Sequence, residues 1–327
     1  MKAGAAACWA ACFPSREPVY ASNKRVNPTI AVETSPATED QPKALPEPWR
    51  HWLTRRRFLG LSAASAAGLA LYAGEISRHE LSVEEHTLQI ARLPDAFRGM
   101  RIVQVSDIHY ADYTEPFFVR EIVRRINQLR PDLVVLTGDF VSFEPLPISF
   151  ARRHAPGCAA ILSGIECPLR YASLGNHDYV VGADYVAGPL RENGIPVLMN
   201  ASVALERAGE RIWLAGLGSV CTGDDDLGRT LPRAGANEPV LLMAHEPDIL
   251  PDVAGKGVDL MLSGHTHGGQ VCLPLLPPFH LPEHGRKYLE GLFQLGSTQL
   301  YVNRGIGAVG LPFRFRCPPE ITVLTLV

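Results

Sequence analysis

The stretch RIVQVSDIH, residues 101–109, combines an apolar run of strand length with an immediate Asp107-x-His109 pair. The same order, an apolar run and then polar side chains, recurs four times: LVVLTGD at 133–139, YASLGNHD at 171–178, VLLMAHE at 240–246 and DLMLSGHTHGGQ at 259–270. In open α/β sheets, sites form outside the carboxyl ends of the strands. We therefore expect these five segments to bring Asp, Asn and His side chains to one rim.

The residue types at this rim indicate a metal site. Carboxylate and amide oxygens together with imidazole nitrogens suit Mn, Fe and Zn. Strand alternation predicts that Asp107 and His109 share a face, and the same holds for His265 and His267 if that segment is extended. The segments also contain glycines that permit sharp turns and close approach to a ligand: Gly138, Gly175, Gly264, Gly268 and Gly269.

Each motif alone has an ordinary structural explanation. Asp-x-His can be a hydrogen-bonded strand end, Gly138-Asp139 a turn, and His245 a buried histidine without function. However, five of the eleven histidines fall in these segments, which argues against scattered core histidines. The ordered set predicts a functional site.

Composition limits the class of protein. Hydrophobic residues make up 46% of the 327 residues and the net charge is -3, which is typical of a globular protein and gives no indication of a nucleic-acid partner. The seven cysteines contain no CxxC pair, so they indicate neither a zinc finger nor a dense disulfide framework. One disulfide remains open if the chain lies in an oxidising compartment.

The N-terminal region differs from the rest. Residues 1–53 are rich in Pro, Ala, Ser and Thr and are predicted to be disordered. Residues 54–76 begin with Arg55-Arg56-Arg57 before a short apolar run, which predicts a twin-arginine-type signal or a membrane anchor. The alternative is a buried Ala-rich helix. Export by this route would place residues 80–327 in the periplasm or on the outer face of the cytoplasmic membrane, and the twin-arginine export machinery would be a partner.

Residues 80–327 alternate strand-length apolar runs with helical patterns, which predicts an α/β core. Helices are expected at 116–129, near 184–193 and near 248–254, and a hairpin at 202–217. A closing strand at 321–326 predicts mixed sheets. Residues 273–284, rich in Pro and Leu, predict either a loop, a lid or a surface that touches lipid.

The ordered motifs resemble the calcineurin-like metallophosphoesterase superfamily. They are Asp107-x-His109, Gly138-Asp139, Gly175-Asn176-His177-Asp178, His245 and Gly264-His265-Thr266-His267. The resemblance implies a four-layer α/β/β/α sandwich of two mixed sheets. With the N-terminal arginines, the chain is similar to the exported bacterial phosphodiesterases, some of which act on the lipid precursor UDP-2,3-diacylglucosamine.

The resemblance also implies a ligand set and a mechanism. One divalent metal would take Asp107, His109, Asp139 and His267, and the second would share Asp139 and add Asn176, His245 and His265. Mn or Fe are expected, with Zn as a further option, and a hydroxide that bridges the two metals would attack the phosphorus. His177 would be the general acid, or alternatively make a structural hydrogen bond, and Asp178 would orient its ring.

Two assignments remain open. Arg304 is expected to bind substrate phosphate, unless it forms an ordinary salt bridge. The predicted reaction is hydrolysis of a phosphodiester or pyrophosphate bond in a phosphate-ester substrate, with a lipid-linked substrate as one option. The alternatives are a phosphomonoesterase or nucleotidase on the same metals, and an inactive binding scaffold with this fold.

Overall fold

The computed structural model describes residues 54–327, so the disorder predicted for residues 1–53 lies outside the described part of the chain. The first sheet has five strands, β1 (Ser82–Leu88), β2 (Arg101–Val105), β3 (Leu133–Thr137), β4 (Arg170–Ser173) and β11 (Glu320–Leu326), in the order β1-β11-β2-β3-β4. The strand pair β11–β2 is antiparallel and the other pairs are parallel. This sheet is mixed, as predicted.

The second sheet contains the other six strands. They are β5 (Ala201–Arg207), β6 (Glu210–Gly216), β7 (Val240–Met243), β8 (Leu260–Ser263), β9 (Gly291–Leu295) and β10 (Thr298–Val302), in the order β5-β6-β7-β8-β10-β9. The pairs β5–β6 and β9–β10 are antiparallel, and the central pairs are parallel. The hairpin expected at 202–217 is therefore confirmed.

Within residues 54–327 there are seven α-helices, of which α1 precedes the first strand. They are α1 (Arg55–Leu71), α2 (Pro116–Leu129), α3 (Ile148–Leu162), α4 (Asn176–Val181), α5 (Ala183–Glu192), α6 (Leu227–Thr230) and α7 (Leu250–Val253). The predicted helix at 116–129 matches α2, in which Phe118, Ile122 and Ile126 are buried at helical spacing. The expected helices near 184–193 and 248–254 correspond to α5 and the shorter α7.

Alternation along the strands creates the layers. In β2, Ile102 points into the core between the two sheets, while Val103 packs under α2 and α3. In the second sheet, Leu241 faces the same central core and Leu242 packs against α7. Successive strand residues point to opposite faces, so each sheet buries one face on the other sheet and one face on helices. The fold is the predicted α/β/β/α sandwich.

Helix α1 does not belong to this core. None of its residues is buried, although it is rich in Leu and Ala. The helical stretch Arg55–His79 is long and apolar enough to cross a membrane, by length and composition. The alternative of a buried Ala-rich core helix is therefore wrong, because the exposed apolar side chains of α1 find no core to pack against.

Candidate metal centre

The five segments that follow strands meet at the carboxyl ends of the two sheets. Their side chains form three overlapping groups in which the ligand atoms all lie within 4.8 Å of one another. These groups are Asp107, His109 and His267; His109, Asp139 and His177; and Asp139, His245 and His265. The convergence expected from the strand ends is therefore present in the fold.

The backbone reaches this arrangement by a different route from the predicted one. Strand β2 ends at Val105, and Asp107 and His109 both have positive φ, at 52° and 46°. His265 and His267 also have positive φ, at 73° and 51°. Left-handed backbone is uncommon for such residues and costs free energy. The prediction of an extended Asp107–His109 pair is wrong, because turns, not strand alternation, aim these side chains inward.

Two glycines allow the turns to approach the carboxylates closely. A Cβ atom at Gly175 would overlap Asp139 Oδ1, and one at Gly264 would overlap Asp107 Oδ2. The backbone N–H of His265, directly after Gly264, then donates to Asp107 Oδ2 at 3.0 Å. The glycines are thus required by close packing around the acidic ligands.

Each of three imidazoles is oriented by a hydrogen bond from one ring nitrogen. His109 Nδ1 lies 2.7 Å from Ser142 Oγ, and His245 Nδ1 lies 2.7 Å from the carbonyl oxygen of Thr137. His265 Nε2 lies 2.7 Å from the carbonyl oxygen of Glu283. Metal-binding histidines are usually held in this way, so that the other nitrogen faces the metal.

One buried atom tests whether cations fit. Asn176 Oδ1 is inaccessible to solvent and has no hydrogen-bond partner within residues 54–327. A buried lone pair without a partner is costly. Asn176 belongs to the expected ligand set, and its amide oxygen, like the carboxylates and imidazoles beside it, suits Mn, Fe or Zn. The residues present therefore fit a pair of divalent cations.

In this buried site, the pKa values of Asp139 and His245 are determined mainly by the opposite charge beside each group. Burial alone would raise the pKa of Asp139, but the neighbouring His245, followed by His177 and His109, holds it well below its usual range. His245 Nε2 lies 3.0 Å from Asp139 Oδ2. Burial lowers the pKa of His245, yet Asp139 and Asp107 outweigh it and raise the pKa well above 6.5.

In His109, His265 and His267 the pKa is lowered, which favours the neutral form. Burial, and then the nearby His177, lower the pKa of His109 well below 6.5. Burial lowers the pKa of His267 to about 4, and burial followed by His245 lowers that of His265. A neutral imidazole is the form that binds a metal, so these three rings are prepared to act as ligands.

Asp178 does not orient His177, which corrects the predicted role. Its carboxylate accepts hydrogen bonds from the backbone N–H groups of Asp139 at 2.8 Å, Phe140 at 2.9 Å and Gly175 at 3.0 Å. Burial, and then the nearby Asp139, raise the pKa of Asp178 to about 8, although the backbone N–H groups of Gly175 and Val141 lower it. Asp178 therefore fixes the turn that carries Asp139, because its oxygens are already engaged by backbone N–H groups.

His177 stands at the wall of the cavity beside this turn. Its Nδ1 accepts a hydrogen bond from the backbone N–H of Phe143 at 3.3 Å, and its ring packs on the Phe143 ring with centroids 4.4 Å apart. Acceptance at Nδ1 places the proton of the neutral ring on Nε2. His177 thus has both a structural bond and a proton available for the site.

Arg304, for which phosphate binding is predicted, is paired with glutamates in the structure. Its Nη2 lies 2.6 Å from Glu84 Oε1, and its Nε lies 2.7 Å from Glu320 Oε2 and 3.9 Å from Glu290 Oε2. Glu320 is buried, so it needs a cationic partner. The open alternative, a salt-bridging arginine, is what the structure shows.

Sequence reasoning missed Arg314, which is fully buried behind the centre. Its Nη2 donates to the carbonyl oxygens of Gly307 at 2.6 Å and Arg304 at 2.9 Å, and lies 3.4 Å from His267 Nδ1. The segment FRFR at 313–316 follows no apolar strand, so the pattern gave no signal. Ser142, which holds His109, was missed because its partner lies 33 residues away in sequence.

A cavity of about 840 Å³ opens beside the metal ligands. One wall carries Asp139, Asn176, His177, His265 and His267. The opposite walls are apolar and come from the predicted Pro- and Leu-rich loop, from the segment before Cys317 and from α1: Leu273, Phe279, Leu311, Phe313, Phe315 and Leu69. The cavity therefore combines a polar, ligand-rich wall with an apolar channel.

Comparison with known proteins agrees with this geometry. The family model for calcineurin-like phosphoesterases matches residues 100–269. The chain is 36% identical to YkuE of Bacillus subtilis, an uncharacterized metallophosphoesterase, over 84% of this chain and 98% of YkuE. It is 32% identical to the phosphodiesterase YaeI of Escherichia coli, over 84% of this chain and all of YaeI.

A third relative is named for its substrate. The chain is 27% identical to LpxG, a UDP-2,3-diacylglucosamine pyrophosphatase of Chlamydia trachomatis, over 74% of this chain and 90% of LpxG. The matched family region contains the metal-ligand motifs from Asp107 to His267, and the fold and the clustered side chains agree with it. The chain belongs to the calcineurin-like phosphoesterase family and is a metallophosphoesterase.

Proposed function

We propose that the chain hydrolyses a phosphodiester or pyrophosphate bond of a lipid-linked substrate at a membrane surface outside the cytoplasm. The observation that carries this proposal is the cavity, in which the metal ligands face apolar walls. A phosphate placed against the polar wall leaves the apolar walls to receive a hydrocarbon chain. UDP-2,3-diacylglucosamine is an example of the substrate class.

The ligands divide into two sets. Asp107, His109, Asp139 and His267 would hold one cation, and Asp139, Asn176, His245 and His265 the other. Asp139 is suited to both sets because its Oδ2 lies near one histidine of each, 3.8 Å from His109 Nε2 and 3.0 Å from His245 Nε2. Two bound divalent cations supply water activation and charge neutralisation for phosphoryl transfer. Mn or Fe is the proposed pair.

His177 would stabilise the leaving oxygen through a hydrogen bond. Its Nδ1 accepts the N–H of Phe143, so the neutral ring carries its hydrogen on Nε2, and His177 lines the cavity. A hydrogen bond from this N–H stabilises the negative charge that develops on the leaving oxygen, which then takes its proton from solvent water. Asn176, the preceding residue, is one of the proposed metal ligands. A single turn would therefore carry both this donor and a group that binds metal.

The lipid part of the proposal is supported by exposed apolar surface around the same cavity. Leu275 is completely exposed, and Leu276, Phe279 and Leu311 are also exposed. Large exposed apolar groups near a pocket mark an interaction site. Helix α1 lines the same cavity through Leu69 and Ala70. A membrane contact through α1 would bring the cavity to the lipid surface.

Export is proposed on the sequence before and within α1. The arginines at 55–57 are the first residues of α1 and precede its apolar part, the order found in twin-arginine signals. Replacing Arg56 and Arg57 with Lys is expected to leave the chain in the cytoplasmic fraction. Replacing the exposed Arg124 and Arg125 with Lys is expected to have no effect on fractionation. Unchanged fractionation of the first variant would exclude this route.

The central test uses the full chain in detergent micelles with added Mn. Hydrolysis of bis(p-nitrophenyl) phosphate is expected to exceed that of p-nitrophenyl phosphate and to disappear in Asp139→Asn. Preference for the monoester would favour the phosphomonoesterase alternative. Absence of turnover with Mn, Fe or Zn, in a folded protein, would favour the binding scaffold.

The lipid preference needs a second comparison. Leu311→Asp is expected to raise KM for UDP-2,3-diacylglucosamine about tenfold relative to its deacylated form, because burial of a leucine side chain contributes roughly 1.5–3 kcal/mol. Leu295→Asp is the matched control, since Leu295 is exposed and lies outside the cavity wall. If Leu311→Asp changed KM equally for the acylated and the deacylated substrate, the cavity would not bind the acyl chains.

A further inference from the structure

Two thiols meet directly behind the turn that carries His267. Cys272 Sγ lies 3.2 Å from the carbonyl oxygen of Gly268, and Cys317 Sγ lies 3.6 Å from the same oxygen and 3.1 Å from that of His267. The two sulfur atoms therefore approach the same carbonyl oxygen, that of Gly268. The other thiols in the described part of the chain bond to backbone carbonyls elsewhere, such as Cys158 to Phe140 and Cys167 to Pro131.

The backbones beside these thiols are already paired. Val271 and Phe315 form a parallel bridge, and the N–H of Cys272 donates to the carbonyl oxygen of Phe315 at 2.9 Å. Cys272 directly follows Val271, and Cys317 lies two residues after Phe315, so both cysteines stand next to this bridge. Cys317 is buried, whereas Cys272 is only partly buried. An oxidant can therefore reach the Cys272 sulfur, and Cys317 stands ready to complete the bond.

We propose that Cys272 and Cys317 form a disulfide in the mature protein. The Sγ–Sγ bond forms as both S–H bonds break. The two electrons and two protons pass to a protein disulfide of the thiol–disulfide oxidoreductase class, which is reduced to a dithiol. A mixed disulfide on Cys272 precedes attack by the Cys317 sulfur. This inference does not depend on which phosphate ester the enzyme cleaves.

The cross-link would join the two apolar walls of the cavity. One wall belongs to residues 271–282 and the other to residues 309–315. Without the cross-link, the side chain of Gln270 holds them together, since its Nε2 donates to the carbonyl oxygens of Val309 at 3.1 Å and Leu311 at 3.0 Å. A disulfide would fix the width of the cavity and the position of the turn at Gly268.

The test compares oxidised and reduced full-length protein. After treatment with oxidised glutathione, mass spectrometry of a proteolytic digest is expected to show one cross-linked pair of peptides that contains Cys272 and Cys317. Reduction with dithiothreitol should remove it and lower Tm by roughly 5 °C, since disulfides close the unfolded chain into a loop. The wild-type comparison needs no variant, so a folding defect cannot obscure it.

Two variants sharpen the result. Cys272→Ala should abolish the redox-dependent change in Tm, whereas Cys221→Ala, which removes an exposed thiol, should retain it. The proposal is overturned if both thiols are fully alkylated by maleimide after oxidation, or if the cross-linked peptides join other cysteines. A cross-link that forms without any change in Tm would leave the covalent proposal intact but would exclude the role in fixing the cavity walls.

Discussion

The carboxylate of Asp178 accepts a hydrogen bond from the backbone N–H of Asp139 at 2.8 Å. This bond crosses from the start of α4 to the end of β3 and fixes the residue that the two metal sets share. The same oxygen accepts from the N–H of Gly175 at 3.0 Å. One acidic side chain thus ties together the turns that carry Asp139 and Asn176.

Asp178→Asn is therefore expected to weaken metal binding. The introduced amide would point an N–H group at a backbone N–H, and the turn would shift. Loss of a residue that orients metal ligands typically costs 10–100-fold in metal affinity. Isothermal titration with Mn measures the change, and Asp184→Asn on the exposed part of α5 is the control. If Asp178→Asn bound Mn as tightly as the wild type and had the same pH profile as His177→Ala, Asp178 would instead act through His177.

His177→Ala is expected to slow catalysis without removing metal. Removing a hydrogen-bond donor to a developing negative charge typically costs about 10²–10³-fold, so cleavage of an alkyl phosphodiester should fall by about that factor. The p-nitrophenyl diester should lose less, because its leaving group carries the negative charge more easily. His177 lies within 4.8 Å of the ligand atoms of His109 and Asp139, so metal content must be measured in parallel. Loss of one metal per chain would make His177 a ligand.

Arg304→Met is expected to destabilise the fold more than it weakens substrate binding. Removing the guanidinium leaves Glu320 buried without its cationic partner, and breaking a buried pair costs about 3 kcal/mol. Urea unfolding of the metal-free protein measures the free energy of unfolding. Glu84→Gln is the control, because Glu84 is partly exposed and its pair with Arg304 contributes about 1 kcal/mol or less. A large rise in KM with unchanged stability would restore the phosphate-binding role.

The sequence predicted the features that local patterns encode. Apolar runs of strand length, and the polar groups directly after them, are local signals, so the strand ends and the ligand cluster could be identified before the structure. The roles of Asp178 and Arg304 could not, because their partners lie far away in sequence. Asp178 bonds to the turn at 139–140, and Arg304 to Glu84 and Glu320. A pattern of residue types does not say which distant groups a side chain will meet.

The backbone of the ligand turns illustrates the same limit. Alternation predicted an extended Asp107–His109 pair, yet both residues have positive φ. The N–H of His109 donates to the carbonyl oxygen of Asp139 at 3.0 Å, and the N–H of Asp107 donates to the carbonyl oxygen of Gly138 at 3.0 Å. These bonds between two separate loops favour the left-handed turns over an extended continuation of β2. Tertiary contacts decided a conformation that local propensity did not.

Metal binding is expected to strengthen as pH rises through the neutral range. In the metal-free protein, His245 beside Asp139 has a pKa well above 6.5, so its imidazole is protonated at pH 7. A metal needs the neutral ring, and binding must release this proton. Because His109 and His267 have lowered pKa values, they are already neutral and add no proton at pH 7.

Proton release gives this prediction a direct measurement. Titration with Mn in buffers of different ionisation enthalpy should show about one proton released per chain at pH 7, and the apparent affinity should rise with pH until His245 is neutral without metal. His245→Gln supplies a neutral side chain at the same position, so its proton release should disappear even if its affinity is weaker. Zero release by the wild type at pH 7 would mean that Asp139 does not hold His245 protonated, and that the metal site is already neutral before metal binds.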